Sequence, residues 1–408
     1  MLPQKKKSLT KFIVIPILSL LALFFVFYGG YYFGFRAGNS SAVPSYIKNA
    51  ALDQPSEVDF SLFWQAWNKA RELYIGSPDS QEMIYGAISG MVAALGDPYS
   101  AFLSPKDNEK FSQDLSGEFN GIGAELTLQN NQITVIAPLS GSPAEKAGIV
   151  AKDIILEIDG TSTADLSLDQ AVDKIRGSAG TQVKLKILRQ GAKDPLEFNI
   201  TREVIKVSSV TYSLENVSGK KIAILKVSQF GDDTMNLADK FADQAVKDRA
   251  AGIILDLRNN PGGYLDSSVS FSSLFLPADT AIVLEIDKDG NRREYQSNHS
   301  PILKDFPLVV LVNGGSASAA EIVTGALKDN RRAKVIGEKT FGKGSVQALE
   351  PLSGGAALKI TIAKWLTPSG AEINSKGIAP DIEVKLTDDD KSKSVDPQLD
   401  KAKAEIVK

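Results

Sequence analysis

The chain has 408 residues, more than one ordinary domain needs, and this length suggests two or three domains. Its composition, 43% hydrophobic and 23% charged residues, is that of a globular protein, and its net charge of −3 gives no reason to expect a nucleic-acid partner. The chain contains no cysteine, which excludes structural disulfides, thiolate metal sites and a cysteine nucleophile.

Residues 12–35 form an uncharged and mostly apolar run, FIVIPILSLLALFFVFYGGYYFGF. A helix of that length spans roughly 36 Å, enough to cross the hydrocarbon core of a bilayer. The apolar core of a cleaved signal peptide is usually only about 7–15 residues, so an uncleaved anchor is favoured over a cleaved signal. Lysines are concentrated in residues 1–11 and only Arg36 follows the run, which predicts a cytoplasmic N-terminus and a body on the outer side, periplasmic or extracellular.

The next three segments differ in their patterning. Residues 36–58 are rich in Ser, Ala, Pro and Asn and predict a linker. Residues 59–105 carry apolar residues at helical spacing and end in the turn-forming sequence GDPYSAFLSP. Residues 106–204 combine short alternating strands with one amphipathic helix at 167–176.

The C-terminal half has the pattern of a covered sheet. Within residues 205–385, continuously apolar strands alternate with predicted helices at 232–249, 264–275 and 319–329, as in a parallel sheet with helices on both faces. The charged residues 386–408 predict a loosely attached tail. The predicted fold class is therefore α/β (α+β) and multidomain.

The segment VNGGSASAAEIV (312–323) predicts the end of a strand, a tight turn and the start of a helix. Ser318 would lie at that turn, where the free N–H groups and the dipole of the helix can stabilise an anion. Such a serine also caps helices without any catalytic role, and for this segment alone capping is the more common reason for it. A nucleophile needs a base as well, and the only histidine of the chain is His299.

A second segment, GEKTFGKGSVQ (337–347), offers a different base. Lys343 lies between glycines, and Gln347 follows four residues later, which keeps both side chains on one side of a strand or a helix. An unperturbed lysine has a pKa of about 10.4, but burial can lower that pKa by up to about 3–5 units. Gln347 is uncharged, so it can orient the amine without restoring its charge. A loop lysine taken alone is most often an ordinary surface residue.

A third segment, DLRNNPGGYLD (256–266), predicts a strand that ends in a Pro-Gly-Gly turn. Backbone N–H groups exposed by such a turn can stabilise a tetrahedral oxyanion. By itself the segment indicates only a turn.

Together these segments closely resemble the carboxyl-terminal processing peptidases (tail-specific proteases), a family of Ser/Lys endopeptidases with a PDZ domain. The resemblance covers about residues 60–385 and rests on GDPYSAFLSP, DLRNNPGG, GSASAAEI, GEKTFGKGSVQ and KITIAKWLTPSGAEINSKGIAPDIEV. It implies a crotonase-like α/β protease core at 205–385, with neither a metal nor an organic cofactor. Ala320 departs from the pattern, since many relatives have serine there, but the nucleophile is unaffected.

The resemblance also implies a role for each motif residue. Ser318 matches the nucleophile, Lys343 the general base and Gln347 the residue that orients the lysine. The backbone N–H of Ala319 and that of one glycine in the pair Gly262-Gly263 match the oxyanion donors, and Gly263 is the preferred glycine.

The stretch GEFNGIGAELTL (117–128) resembles the carboxylate-binding loop of PDZ domains, and SGSPAEKAGIVAKDIILEIDG (140–160) resembles the segment that follows it. The turn residues Gly121, Ile122, Gly123 and Ala124 would hold a free peptide carboxylate. The strand beyond them offers its edge for β-augmentation by the last residues of the peptide, with the helix 167–176 as the opposite wall. Alone, a Gly-x-Gly turn indicates no more than a bulge.

Arg176 ends the helix of this predicted PDZ domain. In relatives an arginine here can couple peptide occupancy to the active site, which makes Arg176 a candidate regulatory residue. A cation is also favoured at a helix C-terminus for electrostatic reasons alone, and that explanation is equally open.

The sequence therefore predicts a membrane-anchored serine endopeptidase that captures the free C-terminus of a protein or peptide through its PDZ domain. Self-association through 59–95 or the C-terminal region is left open. One alternative is a catalytically inactive PDZ scaffold that binds tails, although a scaffold has no need of Ser318, Lys343, Gln347 and the Pro-Gly-Gly turn together. The other is a Ser–His hydrolase of small esters that uses His299.

Overall fold

The computed structural model describes Tyr28 and residues 58–387, 389–390, 393 and 395–408. Apart from Tyr28 and Val58, the predicted N-terminus, membrane helix and linker (1–58) lie outside the described residues. Within the described ranges no helix is both long and apolar enough to cross a membrane. The chain divides into two units, residues 1–79 and 80–408.

The described part of the first unit contains one helix, α1 (Ser61–Leu73), inside the segment predicted to be helical. Asp59 accepts hydrogen bonds from the backbone N–H and the hydroxyl of Ser61, which satisfies one free donor of the first turn. The rings of Phe63, Trp64 and Trp67 contact one another, with centroids 4.8 to 6.3 Å apart.

The second unit begins with α2 (Ser80–Ala93), β1 (Ala101–Leu103) and α3 (Pro105–Ser116). Ser104 caps α3 through a hydrogen bond from Asp107 N–H, and Pro105 occupies the first turn, where a missing N–H costs nothing. β1 runs antiparallel to β18 (Ala357–Leu366). The segment that precedes the PDZ-like region thus contributes an edge strand to a sheet of the C-terminal half.

A small β-domain follows, in which one sheet has the strand order β3-β4-β5-β7-β8 and β6 pairs with β5. Residues that alternate along these strands are buried, as in β7, where Val183, Leu185 and Ile187 are all below 2% exposed. The helix predicted at 167–176 is confirmed and begins with a capping box between Ser167 and Gln170. The elements are β3 (Ala124–Gln129), β4 (Gln132–Pro138), α4 (Pro143–Lys146), β5 (Ile154–Ile158), β6 (Thr161–Ser162), α5 (Leu168–Ile175), β7 (Gln182–Leu188) and β8 (Leu196–Thr201).

Two short strands lie where the chain enters and leaves this domain. β2 (Glu118–Gly121) and β9 (Glu203–Lys206) form an antiparallel pair outside the main sheet of the β-domain.

The C-terminal half is built on a six-stranded sheet of order β10-β11-β12-β15-β16-β19. From β11 to β19 all neighbours are parallel, and every residue of β12 and β15 is buried, which explains their continuous apolar runs. The elements are β10 (Val210–Val217), β11 (Lys220–Val227), α6 (Thr234–Lys247), β12 (Gly252–Asp256), α7 (Leu265–Ser273), β15 (Leu308–Val312), α8 (Ala319–Asp329), β16 (Lys334–Gly337) and β19 (Ile382–Glu383). The three helices predicted in this region are confirmed.

A second sheet packs beside this one and has the order β1-β18-β13-β14, with β17 also paired to β18. β13 (Ala281–Asp287) and β14 (Arg292–Gln296) form a hairpin, and β17 (Ser345–Pro351) follows the segment that contains Lys343.

The expectation of a loosely attached C-terminal tail is wrong for residues 395–408. Helix α9 (Pro397–Ile406) packs on the main sheet, where Ala402 and Ile406 join a buried cluster with Ile254. Arg258 also holds the start of this segment, since its Nη1 donates to Asp396 Oδ1 at 2.9 Å. The high charge of the segment lies on the solvent side of an amphipathic helix, so composition alone conceals the buried residues.

Parallel strands bring the predicted catalytic segments together. β12, β15 and β16 all end at the same edge of the sheet, and the loops that follow them contain Gly263, Ser318 and Lys343. Open α/β sheets place their binding sites at this carboxyl edge.

Candidate active site

Ser318 lies at the sharp turn between β15 and α8. Its backbone has φ 53° and ψ −117°, a conformation that residues with a side chain rarely adopt. Strain of this kind costs about 1–3 kcal/mol and persists only where surrounding contacts enforce it. Here the Ser316 hydroxyl donates to Leu257 O at 2.8 Å and accepts from Asn313 N–H at 3.0 Å. These contacts tie the turn to the neighbouring strand and hold Ser318 at the start of the helix.

The buried carboxylate of Glu321 joins the serine turn to the lysine loop. Its Oε2 accepts the backbone N–H of Ser318 and that of Lys343, both at 2.9 Å. Its Oε1 accepts the N–H of Gly342 at 2.7 Å and the hydroxyl of Thr340 at 2.6 Å. Glu321 is 0% exposed, so these four donors replace the water that the carboxylate loses on burial.

Ser318 and Lys343 line the same cavity, with a volume of about 500 Å³. Gln347 lines it as well, and its amide nitrogen donates to Ser345 Oγ at 2.8 Å and to Thr361 Oγ1 at 3.1 Å. With both amide hydrogens engaged, the carbonyl oxygen of Gln347 is the end of the side chain that can accept a hydrogen bond from an amine.

Lys343 is half-buried in this cavity. Burial lowers the pKa of Lys343 most, and the positive charge of Lys359 lowers it further, whereas the negative charges of Asp97 and Glu321 oppose the shift. The amine lies 5.2 Å from the centroid of the Tyr99 ring, a contact that favours its charged form. The net effect is a lysine that loses its proton more readily than one in water.

Of the two candidate oxyanion glycines, Gly263 has the better-placed donor. The N–H of Gly262 is already donated to Asn260 Oδ1 at 2.8 Å. Phe230 bonds to the residues on either side of Gly263, accepting from Tyr264 N–H and donating to Gly262 O, both at 2.8 Å. In a parallel bridge of this kind the N–H of the central residue points away from the partner strand. The Gly263 N–H therefore points away from the Phe230 backbone.

Close packing explains why both positions are glycine. A Cβ on Gly263, at φ 140°, would lie 2.1 Å from Phe230 O, and one on Gly262 would lie 2.7 Å from Ser318 Cβ. The second distance also shows how closely the Pro-Gly-Gly turn approaches the serine. Ala319, at the first position of α8, has its N–H in the turn where helix donors are left free.

The predicted carboxylate-binding turn lines a smaller cavity of about 160 Å³ in the β-domain. Gly121, Ile122, Gly123 and Ala124 all line it, together with Val172 and Ile175 of α5. β3 is an edge strand of its sheet, so its outer side is open for an added strand. The structure thus brings together the turn, the strand edge and the helix that the sequence placed in one groove.

Arg176 contacts both this groove and a residue of the cavity of Ser318. Its guanidinium stacks 4.7 Å from the centroid of the Phe119 ring and lines the groove. Its Nη1 lies 3.5 Å from Asp114 Oδ1, and Asp114 on α3 lines the cavity of Ser318. The side chain therefore contacts residues of both cavities.

His299 pairs with a residue of another helix. Its Nε2 lies 2.9 Å from Asp239 Oδ1 on α6, both side chains are more than a third exposed, and His299 is not among the residues that line the serine cavity. This placement disfavours the Ser–His alternative.

The sequence reasoning did not single out four residues that contact or face the lysine loop: Asp97, Tyr99, Glu321 and Lys359. Glu321 carried a recognisable signal, because Ser318 and Glu321 have the S-x-x-E spacing of a capping box. Asp97 and Tyr99 lie in GDPYSAFLSP, a turn-forming motif of the family resemblance that implied no role for either residue. No pattern in the sequence marks Lys359.

Three protein-family models match this chain. The model of peptidase family S41 matches residues 221–384, the PDZ domain model matches 134–189, and the model described as the activating protease CtpB N-terminal domain matches 24–107.

Similar full-length proteins cover most of the chain. A carboxy-terminal-processing protease of Bartonella bacilliformis is 39% identical over 351 residues, 85% of this chain and 80% of that protein. A carboxyl-terminal-processing protease of Synechocystis sp. is 41% identical over 339 residues, 82% of this chain and 79% of that protein. The solved structure of a photosystem II D1 C-terminal processing protease is 34% identical, covers 80% of this chain and 89% of that chain, and superposes with a TM-score of 0.50.

Replacement of Glu321 by glutamine should separate the role of its charge from that of its size. In Glu321→Gln one oxygen becomes an NH₂ group, and this group faces at least one backbone N–H donor in either orientation, so we expect the free energy of unfolding to fall by about 2–4 kcal/mol. Peptidase activity should fall by at least about tenfold, because the serine turn and the lysine loop are no longer held by all four hydrogen bonds. Urea unfolding and peptide cleavage measure the two effects. Glu338→Gln, in the same loop but only half-buried, is the control, and an equal effect of both substitutions would contradict this role of Glu321.

Proposed function

We propose a mechanism from the premise that this chain belongs to peptidase family S41, as a carboxyl-terminal processing serine protease with a PDZ domain. The observation that carries the mechanism is the shared cavity of Ser318 and Lys343, whose loops bond to the same buried carboxylate. The inactive-scaffold alternative is not favoured, because the chain is similar to named proteases over more than four-fifths of its length.

In the first step the neutral amine of Lys343 takes the proton of Ser318 Oγ as that oxygen attacks a peptide carbonyl. Lys343 then gives this proton to the leaving amine, and the C–N bond breaks to leave an ester on Ser318. Water, deprotonated by the same amine, hydrolyses the ester and restores the serine. Gln347 orients the lysine amine through its carbonyl oxygen.

The developing oxyanion is stabilised by the backbone N–H groups of Gly263 and Ala319. Both belong to rigid segments, the Pro-Gly-Gly turn held by Phe230 and the first turn of α8, so the donors need no reorganisation during the reaction. The dipole of α8 adds positive potential at the same point.

The PDZ groove selects a substrate by binding its free C-terminus. Backbone N–H groups of the turn 121–124 bind the terminal carboxylate, and the last residues pair with the edge of β3. The scissile bond then lies upstream of the captured tail, in the cavity of Ser318.

The dyad is tested by cleavage of an unfolded protein with an apolar free C-terminus, using the full chain in detergent. Ser318→Ala and Lys343→Ala should each lower the rate by at least about 1000-fold, because the nucleophile or its base is missing. Amidation of the substrate C-terminus should slow cleavage at low substrate concentration, because the PDZ turn loses its carboxylate. Lys339→Ala, an exposed lysine of the same loop, is the matched control and should cleave normally. Cleavage that survives Lys343→Ala would refute the dyad.

We further propose that residues 12–35 anchor the protein in the cell membrane with residues 37–408 on the outer face. The length of the apolar run and the lysines that precede it support this topology. The chain should then stay with membranes after alkaline carbonate extraction, and protease added to intact cells or spheroplasts should degrade the body. Release by carbonate, or protection of the body from the added protease, would argue against the anchored orientation.

Arg176 is proposed to couple tail binding to activity, because it contacts the PDZ groove through Phe119 and the catalytic cavity through Asp114. Added tail peptide should stimulate cleavage of a short PDZ-independent substrate by the wild type, and Arg176→Ala should lose most of this stimulation while it still binds the peptide. Arg189→Ala, in the same domain but paired with Asp153, is the control. Stimulation that is unchanged in Arg176→Ala would leave only a structural role for the arginine.

A further inference from the structure

Lys359 is the second lysine of the catalytic cavity, and the mechanism above gives it no role. It lies on β18, where its Cα is the partner of Leu349, and Thr361 of the same strand is the partner of Gln347. Since residues two apart share a face of a sheet, Lys359 projects from the same face as Gln347 and Thr361. Gln347, Leu349 and Lys359 of this face line the cavity, and so does Lys343.

The ammonium group of Lys359 is held in place from the other side of the cavity. It lies 5.5 Å from the centroid of the Phe111 ring on α3, and the side chain is half-buried. Among the described residues that line this cavity, the charged ones are Asp114, Lys343 and Lys359. Asp114 is paired with Arg176, so the two lysines face the cavity with no other carboxylate among these lining residues.

We propose that Lys359 acts through Lys343: its positive charge repels a second proton from the cavity and so keeps the Lys343 amine neutral and ready to act as a base. Two positive charges that face one cavity repel each other, so the charge of Lys359 disfavours the charged form of Lys343. A neighbouring cation is a known means of activating a lysine amine. This proposal rests on the Ser318–Lys343 dyad proposed above.

Other charges near Lys343 act in the opposite direction, which gives Lys359 a specific role. Asp97 and Glu321 both favour the charged amine, and so does the face of the Tyr99 ring. Glu321 cannot be dispensed with, because it holds the two catalytic loops together. A nearby positive charge offsets the effect of these carboxylates without disturbing the hydrogen bonds that they make.

The test measures the rate at which a small fluorophosphonate modifies Ser318 between pH 5 and pH 10, in the full chain with a fixed concentration of tail peptide. This readout needs no peptide substrate in the cavity, so it is insensitive to any contact of Lys359 with a substrate. The modification requires the neutral lysine, so its rate rises with pH through the pKa of Lys343. Removal of a nearby positive charge raises that pKa and moves the rise to higher pH.

Lys359→Met and Lys359→Gln should therefore react roughly three- to tenfold more slowly than the wild type below its inflection, and at the wild-type rate at high pH. Lys359→Arg should restore the wild-type profile because it keeps the charge. The control Lys364→Met removes an exposed lysine of the same strand that does not line the cavity, and its profile should match the wild type.

A neutral Lys359 variant with the wild-type profile would overturn the proposal. So would a rate reduced by the same factor at every pH, since this would indicate a structural role instead. The dyad is judged separately: if Lys343→Ala reacts like the wild type, the proposed mechanism fails, whatever the Lys359 variants do.

Discussion

One buried carboxylate sets the geometry of the proposed active site. Glu321 accepts four hydrogen bonds of 2.6 to 2.9 Å from the serine turn and the lysine loop, two segments that are about 20 residues apart in the sequence. A buried carboxylate is tolerated only when hydrogen bonds replace its lost hydration. Glu321 therefore needs these four donors, and the two loops need Glu321 as their common acceptor. The strained turn at Ser318 and the half-buried position of Lys343 both depend on this shared acceptor.

The parallel sheet supplies the frame for that contact. The ends of β12, β15 and β16 place the glycine turn, the serine turn and the lysine loop at one edge. Helix α9 packs on one face of this sheet. Arg258 pairs with Asp256 at the end of β12 and with Asp396 at the start of α9, and so ties α9 to the strand that leads into the glycine turn. The C-terminal residues thus help to fix the segment that carries the proposed oxyanion donor.

Much of this arrangement could be predicted from the sequence because local patterns and ordered motifs mark it. The continuous apolar runs predicted the parallel sheet, and the helical spacing of apolar residues predicted its helices. The motif residues Ser318, Lys343 and Gln347 line one cavity. Two features that depend on contacts between distant parts of the chain were not predicted. Lys359 reaches the cavity only through the pairing of β17 with β18, and the docking of α9 depends on Ala402 and Ile406 within a charged segment.

The proposed dyad requires that Lys343 is neutral often enough to act as the base. Its most direct test is an NMR titration of the lysine side chains in the full chain carrying isotope-labelled lysine, with Lys343→Arg to assign the resonance. We expect Lys343 to titrate at lower pH than the exposed lysines, because burial and the charge of Lys359 lower its pKa. A Lys343 resonance that titrates together with the exposed lysines would contradict it.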